Sequence, residues 1–486
     1  MPGLSQSVRM DTGADLPRGP RPLPAQRRDR DGRTHIDLWA VWALAVPLMV
    51  NSAVQVVLNL TDMWFIGHIS TAALAAVGAV QWLILGVLLV LGGSSMAVQT
   101  LASHAHGARR FRCAAQATWT ALWLTLWIAP VCVALGFAGH WMLLPFGFAP
   151  RIARLAGQFW LPRIGGASVA VAAWAMMGFF NGIGRTRISF GVAVAAAVAN
   201  GVFNDLFIFH FGWGVAGSAW ASNAAQAVGF LFGFVLFLRA PIRSAFRSHL
   251  TWRPRWHSVR RQLRLGIPLG LMPAADVLGF AVFQMMQVRY GMVAGAATQM
   301  VTVLTSTAYL PGIGIATAGT TLVGQSIGAG DRVWAFRLGT RVILLAAVLM
   351  GGIGVVLAAA GPWLLPLFAA AHDPHAAAAV QLGTRLLWLA AAYQFFDGLN
   401  IGSSMCLRGA GDVRVPAVLI LPVCWLVFLP LAHAFTFAPG QGWVRFLPQF
   451  GWGAPGGWSA VIIYVVLLGT SLYLRWRSRA WERIRV

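Results

Sequence analysis

Four acidic side chains lie inside long apolar stretches of this sequence, where a charge is expensive. They are Asp62, Asp205, Asp276 and Asp397, whereas most of the thirteen acidic residues lie in polar stretches. A charged group near the centre of a bilayer costs at least about 2.5 kcal/mol on insertion scales, so such residues usually face a cavity and mark an ion or proton path. These side chains are the first candidates for binding a cation.

The spacing of polar residues indicates which way the acids point. Polar residues three or four positions apart lie on one face of a helix. Stripes of this kind are Asn51, Gln55, Asn59 and Asp62; Tyr393, Asp397, Asn400 and Ser404; Gln299, Thr302 and Ser306; and Asn200 with Asn204. Asp205 adjoins Asn204, and only one of these two neighbours can face a cavity squarely, for which we favour Asn204. The stripes predict an inner wetted surface, and the alternative is that they only join helices by hydrogen bonds.

The elements that carry these residues are membrane-spanning helices. The chain is 58% hydrophobic and only 10% charged, which excludes a soluble domain. Because a span takes roughly 20 apolar residues, we predict twelve helices, six in each half. They cover about 38–66, 75–102, 114–138, 155–180, 188–211, 215–239, 266–289, 295–323, 338–368, 377–406, 415–437 and 455–475. The fold class predicted is therefore an all-α integral membrane protein.

The two halves repeat one another. Thr100-Leu101 corresponds to Thr321-Leu322, "NGIGRTR" corresponds to "RGAGDVR", and "FGWG" occurs at Phe211 and at Phe450. The repeat predicts two six-helix lobes, an N-lobe at 38–240 and a C-lobe at 266–476. Duplicated bundles are typical of secondary transporters, in which the substrate passes between two halves.

Arginine sets the predicted topology. All 36 Lys and Arg residues are arginine, and they are concentrated in alternate loops. Under the positive-inside rule both termini are cytoplasmic. We predict a disordered cytoplasmic extension at 1–37, a basic cytoplasmic linker at 241–265 and a cytoplasmic tail at 477–486. The net charge of +23 then reflects topology, and its dispersal over short turns argues against nucleic-acid binding.

Two further residue types bear on function. His104 and His106 follow an apolar segment and are interpreted as surface residues of a cytoplasmic turn, although they could sense pH or bind metal. The four cysteines occur singly, without the spacing of a metal or redox site, so no disulfide framework is expected.

Four phrases together resemble the multidrug and toxic compound extrusion (MATE) family, and within it the sodium-type bacterial branch. They are "LTDMWFIGHISTAALAAVG", "NGVFNDLFIFHFGWGVAGSAWAS", "TTLVGQSIGAGDRVWA" and "YQFFDGLNIGSSMCLRGAGDVRVP". The resemblance covers the chain from about residue 37 to 475. It implies a twelve-helix exporter in the bacterial inner membrane that expels cationic or amphipathic organic compounds in exchange for Na⁺ or H⁺. No other cofactor is expected, and the exporter is expected to act as a monomer.

The resemblance also suggests which residues form the site. Acids in the seventh and tenth helices bind the coupling cation in the sodium-type branch, which implies Asp276 and Asp397 here, and Asp62 matches the first-helix acid. Asn204 stands where many relatives have Asp, which lessens the case for a proton relay in the N-lobe. The substrate cavity is expected to involve Tyr393, Gln299, Asn204, Asn200, Phe283, Asn400 and Gln55.

Other functions remain open at this point. A receptor or channel is one of them, and a channel should show continuous ion conductance. A flippase for lipid-linked saccharides would need arginines in the cavity to hold pyrophosphate, and only Arg163 and Arg385 are plausibly embedded. A membrane-embedded enzyme is less favoured because no H-E-x-x-H or G-x-S-x-G motif occurs.

Overall fold

Helices form almost all of the structure. A computed structural model describes residues 23–29, 33–144, 149–368, 375–444 and 446–484, and these contain sixteen α-helices. The first nine are α1 (Leu38–Ile69), α2 (Thr71–Gly107), α3 (Phe111–Phe137), α4 (Gly139–Leu143), α5 (Pro150–Gly165), α6 (Ala167–Gly182), α7 (Thr186–Asp205), α8 (Gly214–Leu238) and α9 (Ala240–Phe246). The others are α10 (Trp256–Tyr290), α11 (Met292–Ala329), α12 (Arg332–Leu364), α13 (Ala376–Ala410), α14 (Arg414–Pro422), α15 (Leu429–Thr436) and α16 (Gly453–Arg477).

The predicted all-α membrane bundle is confirmed. In the described part of the chain, ten helices are long and apolar enough to cross a membrane, or eleven when α5 and α6, bent by 46° at their junction, count as one span. Helix α13, with 35 residues, is also long enough to cross a membrane, but it is less apolar because it carries Arg385, Asp397 and Arg408. With α13, the described part of the chain has twelve spans, the number that the sequence predicts.

Local sequence sets the ends of these helices. The Asp37 carboxylate accepts hydrogen bonds from the backbone N–H groups of Trp39 and Ala40 at the start of α1, which satisfies two of the donors that a helix N-terminus leaves free. At the C-terminal ends of α6 and α13, Gly184 and Gly411 have positive φ values of 79° and 86°. Both belong to the repeated "GxG" phrase, so the repeat encodes the same left-handed turn after α6 and after α13.

The two lobes contact each other through equivalent pairs of helices. Helix α2 of the N-lobe packs along α10 of the C-lobe, and α11 packs along α1. Since α10 repeats α1 and α11 repeats α2, the two contacts are related by an approximate twofold axis. Each repeat also has a π-helical segment in its fifth span, at Leu206–His210 and at Val423–Phe428.

Two segments differ from the sequence expectations. The composition of residues 1–37 predicts disorder, but β1 (Gln26–Arg28) and β2 (Thr34–Ile36) pair as antiparallel strands. Trp334 of α12 donates its indole N–H to the carbonyl of Pro24 at 2.9 Å, and Ile36 packs on the C-lobe core. Residues 1–22 and 30–32 lie outside the described residues. The predicted linker at 241–265 is also shorter, because α10 begins at Trp256.

Candidate functional site

The two C-lobe acids interact electrostatically with each other. Asp276 on α10 and Asp397 on α13 are near enough for their charges to interact. The Tyr464 hydroxyl of α16 donates to Asp276 Oδ1 at 2.5 Å, and Asn400 Nδ2 donates to Asp397 Oδ1 at 3.4 Å. Neighbouring carboxylates repel each other when both are ionised, so a cation or a proton between them is favoured. This group is called the C-lobe carboxylate cluster below.

Tyrosines surround the C-lobe cluster. Tyr309 of α11 interacts electrostatically with both carboxylates, and Tyr393 interacts with Asp397. The ring of Tyr393 stacks on Trp458 with centroids 6.3 Å apart. Among these tyrosines Tyr464 contacts the cluster directly, through its hydrogen bond to Asp276, and Tyr309 and Tyr464 are not among the residues predicted from the sequence. A tyrosine inside an apolar span carries a hydroxyl that needs a hydrogen-bond partner. This feature of the sequence could have identified both residues as site candidates.

The N-lobe acid also sits in a polar group. Asp62 Oδ1 accepts hydrogen bonds from Asn200 Nδ2 at 2.9 Å and Asn204 Nδ2 at 2.6 Å, while Asp62 Oδ2 accepts from the Ser222 hydroxyl at 2.9 Å. Asn204 Nδ2 also donates to Asn200 Oδ1 at 3.1 Å. Helices α1, α7 and α8 thus converge on one carboxylate, and these four residues are called the N-lobe carboxylate cluster. Ser222 was not predicted.

The N-lobe cluster has an unpaired acceptor and a nearby cation. Asn204 Oδ1 is buried and has no hydrogen-bond partner among the described residues. Arg163 of α5 interacts electrostatically with Asp62 and donates to Asn223 Oδ1 at 3.0 Å. A carboxylate with all its protein donors in place and a free amide oxygen beside it can take the N–H donors of an organic cation, or a small cation.

The other predicted cavity residues differ in how far they are buried. Phe283 is fully buried, with its ring 5.6 Å from that of Phe428 and 5.9 Å from that of Trp458. Gln55 on α1 is half-buried and Gln299 on α11 is exposed. Within the described residues neither of these glutamines hydrogen bonds to a carboxylate cluster.

Between the lobes, hydrogen bonds join only one end of the bundle. In the described residues, every side-chain hydrogen bond between the lobes involves 94–104 or 181–182 of the N-lobe and 262, 317–325 or 408–409 of the C-lobe. These residues lie in the half of the bundle where the arginine-bearing turns occur. That half is called the arginine-rich end. The lobes are therefore held closed there.

Four of these hydrogen bonds form two matching pairs. The Thr100 hydroxyl donates to the Arg408 carbonyl at 3.1 Å, and His104 Nε2 lies 2.7 Å from the Gly409 carbonyl. In the mirrored position, the Thr321 hydroxyl donates to the Asn181 carbonyl and Gln325 Nε2 to the Gly182 carbonyl, both at 2.9 Å. Thr100 corresponds to Thr321, and His104 to Gln325, in the sequence repeat. These four bonds are called the interlobe latch.

The latch corrects the interpretation of the histidines. His104 is not a surface residue but lies in the seam between the lobes. His106 stacks on Phe246 with ring centroids 6.2 Å apart. Within the described residues no group of three metal-binding side chains forms around either of them.

The sequence profile of the MatE family matches residues 47–206 and 268–433, which together make up most of the chain. The chain belongs to the MatE family. A probable multidrug resistance protein NorM of Deinococcus radiodurans is 29% identical over 451 residues, covering 92% of this chain and 97% of the relative. The multidrug resistance protein NorM of Burkholderia vietnamiensis is 27% identical over 424 residues, covering 86% of this chain and 91% of the relative.

Solved structures share the fold. A MATE protein crystallised in a straight conformation superposes with a TM-score of 0.80 at 19% identity, over 91% of this chain and 96% of that one. The outward-facing conformation of a MATE family multidrug resistance transporter gives a TM-score of 0.78 at 18% identity, with the same coverage of both chains. The predicted family and the prediction of a transporter rather than an enzyme are confirmed.

Proposed function

We propose that this MatE protein exports cationic or amphipathic organic compounds from bacterial cells in exchange for Na⁺ or H⁺. The observation that carries the proposal is the pair of carboxylate clusters, one in each lobe, above a seam that is closed at one end. The NorM relatives, which are named multidrug resistance proteins, support organic compounds as the substrates.

The arrangement fits alternating access. Arginine-bearing turns are retained on the cytoplasmic side of membranes, so the closed arginine-rich end faces the cytoplasm. In this orientation both chain termini lie inside, and the carboxylate clusters lie on the side of the seam that opens outward. The conformation is then the outward-facing one, in which substrate leaves and the coupling cation enters. The protein works as a monomer in the plasma membrane.

The two clusters have different roles in the exchange. Asp276 and Asp397 bind the coupling cation, because two interacting carboxylates repel each other when both are ionised, and the donors Tyr464 and Asn400 are uncharged and cannot offset that charge. Asp62 binds the organic cation, with the buried oxygen of Asn204 as a second acceptor. Each ligand shifts the balance between outward- and inward-facing states only by its difference in affinity for them.

Efflux of ethidium from proteoliposomes tests the proposal, under an imposed Na⁺ gradient and separately under a pH gradient. Asp276→Asn and Asp397→Asn are expected to abolish gradient-driven efflux, and whichever gradient drives the wild type names the ion. Asp205→Asn is the matched control, because Asp205 is also an acid of a spanning helix but is exposed and lies 3.5 Å from His210.

Asp62→Asn separates the roles of the two lobes. We expect it to raise the ethidium concentration needed for half-maximal efflux while leaving the cation dependence intact. No efflux under either gradient from folded wild-type protein would overturn the antiport proposal and would favour a lipid-linked saccharide flippase instead.

A further inference from the structure

A large cavity lies away from the carboxylate clusters, at the arginine-rich end. It has a volume of about 1340 Å³. Its wall is formed by the first turns of α10, the turn between α13 and α14, the end of α16 and the residues that follow it. Neither carboxylate cluster lines it.

Arginine dominates the lining. Arg260, Arg261, Arg264, Arg414, Arg475 and Arg483 all contribute to the wall. The single carboxylate in the lining is Asp412, which is 1% exposed and accepts a hydrogen bond from Arg475 Nε at 2.8 Å. Within the described residues the other five arginines form no ion pair with a carboxylate. The cavity therefore has a large excess of positive charge.

Backbone donors add to this charge. Helix α14 begins at Arg414, and the side chain of its N-cap residue, Val413, makes no capping hydrogen bond. Val413, Arg414 and Val415 all line the cavity, so free N–H groups and the positive end of the helix dipole are at its wall. Such a helix start, together with guanidinium groups that match phosphate geometry, is a setting for binding a phosphate group.

The cavity also lies at the ends of spanning helices, where lipid headgroups are expected. It opens where three spanning helices end or begin, and Trp256, the first residue of α10, is 75% exposed. Exposed tryptophans at the ends of spanning helices are typical of the membrane–water interface. Basic pockets between such helices on the cytoplasmic side are suited to anionic lipid headgroups.

We infer that this cavity binds a phosphate-bearing anion carrying at least two negative charges. The headgroup of an anionic phospholipid is one source, and a soluble diphosphate is the other. The cavity wall also adjoins the seam, because Leu265 and Val413 pack against Ala97 and Leu101 of the N-lobe. Occupancy at this wall stabilises the closed arginine-rich end.

Native mass spectrometry of the purified full-length protein tests whether the cavity binds a lipid headgroup. The probes are cardiolipin and, for comparison, phosphatidylcholine. The combined variant Arg260→Gln, Arg264→Gln and Arg414→Gln should weaken cardiolipin binding about 100-fold, at roughly fivefold for each arginine. A second arm measures the rise in Tm caused by inorganic pyrophosphate, which the same variant should abolish if the ligand is soluble.

The matched control removes the same charge elsewhere at the same end. The control variant is Arg109→Gln, Arg110→Gln and Arg112→Gln. Arg109 and Arg110 lie on the turn between α2 and α3, Arg112 lies in the first turn of α3, and all three are exposed. Loss of cardiolipin or pyrophosphate binding in the cavity variant alone supports the site and identifies the source. Equal loss in both variants would show only general surface charge, and absence of binding by the wild type would also overturn the inference. Neither readout depends on transport activity.

Discussion

Replacing Thr321 by valine should open the arginine-rich end while keeping the shape of the side chain. The Thr321 hydroxyl donates to the Asn181 carbonyl at 2.9 Å and accepts from Gln99 Nε2 at 3.0 Å, so the substitution removes two hydrogen bonds between the lobes. At about 1 kcal/mol for each bond, the ratio of open to closed molecules rises about 30-fold. Thr100→Val, its counterpart in the repeat, removes one bond and raises the ratio about fivefold.

Distances between spin labels on the two lobes measure this ratio. Arg110 and Arg332 are exposed residues at the arginine-rich end, one on each lobe, and they can carry the labels once the four native cysteines are replaced. If about 1% of wild-type molecules are open, a 30-fold change brings Thr321→Val to about a quarter open. The long-distance population should grow accordingly.

The neighbouring residue provides the control. Thr320 is buried on the same helix, and its hydroxyl donates to the Met405 carbonyl at 2.8 Å within the C-lobe. Thr320→Val therefore loses a buried hydrogen bond without loosening the seam, and its distance distribution should match that of the wild type. An unchanged distribution in Thr321→Val, or an equal change in Thr320→Val, would refute the latch.

Two further substitutions test the seam and the C-lobe cluster. Gly93→Ala should enlarge the same open population, because an added Cβ would overlap the carbonyl oxygen of Gly266 in the other lobe; Gly78→Ala, with open space around it on the same helix, should leave the population unchanged. Tyr464→Phe removes a hydrogen bond to the Asp276 carboxylate, worth roughly 1.5–3 kcal/mol, so the less stabilised carboxylate should bind the coupling cation more tightly, by at least about tenfold. The cation concentration for half-maximal efflux measures this, and no change would argue against Asp276 as a ligand.

The sequence predicts the spans well because their signal is local. Long apolar runs and the repeat place all twelve helices, and the ends differ by a few residues. The start of α10 differs most, since it begins at Trp256 instead of residue 266. Its first turns contain Arg260, Arg261 and Arg264, which resemble a basic linker in composition. Helices continue beyond the hydrocarbon core, where arginine is solvated and remains a good helix former.

Polar spacing predicts faces of helices but not their partners. The stripe on α1 selects Asp62, and the pair on α7 selects Asn200 and Asn204, yet only the packing of three helices shows that they share hydrogen bonds. Ser222 and Tyr464 have no stripe of their own and were missed. His104 was misread because a histidine before an arginine-rich turn has the composition of a surface residue, whereas its partner, the Gly409 carbonyl, is 305 positions away in sequence.

The repeat explains both the closed end and the difference between the clusters. Pro47 corresponds to Pro268 and Thr100 to Thr321, and at the same spacing Asp62 corresponds to Phe283 and Gln55 to Asp276. The repeated helices α1 and α10 therefore carry their acids two turns apart. In the C-lobe the position equivalent to Asp62 is filled by a ring packed against Phe428 and Trp458.

Duplication has thus preserved the parts that need symmetry. Two lobes that rock about a common axis must close through equivalent contacts, and the latch keeps paired hydroxyl and side-chain N–H donors on α2 and α11. The carboxylates are under no such constraint, because exchange requires two ligands that differ. Placing acids at non-equivalent depths, with amide donors around one and tyrosines around the other, gives each lobe a site of its own chemistry. Under the proposed assignment, a drug bound at Asp62 and a small cation bound at Asp276 and Asp397 each act on the same rocking motion from a separate lobe.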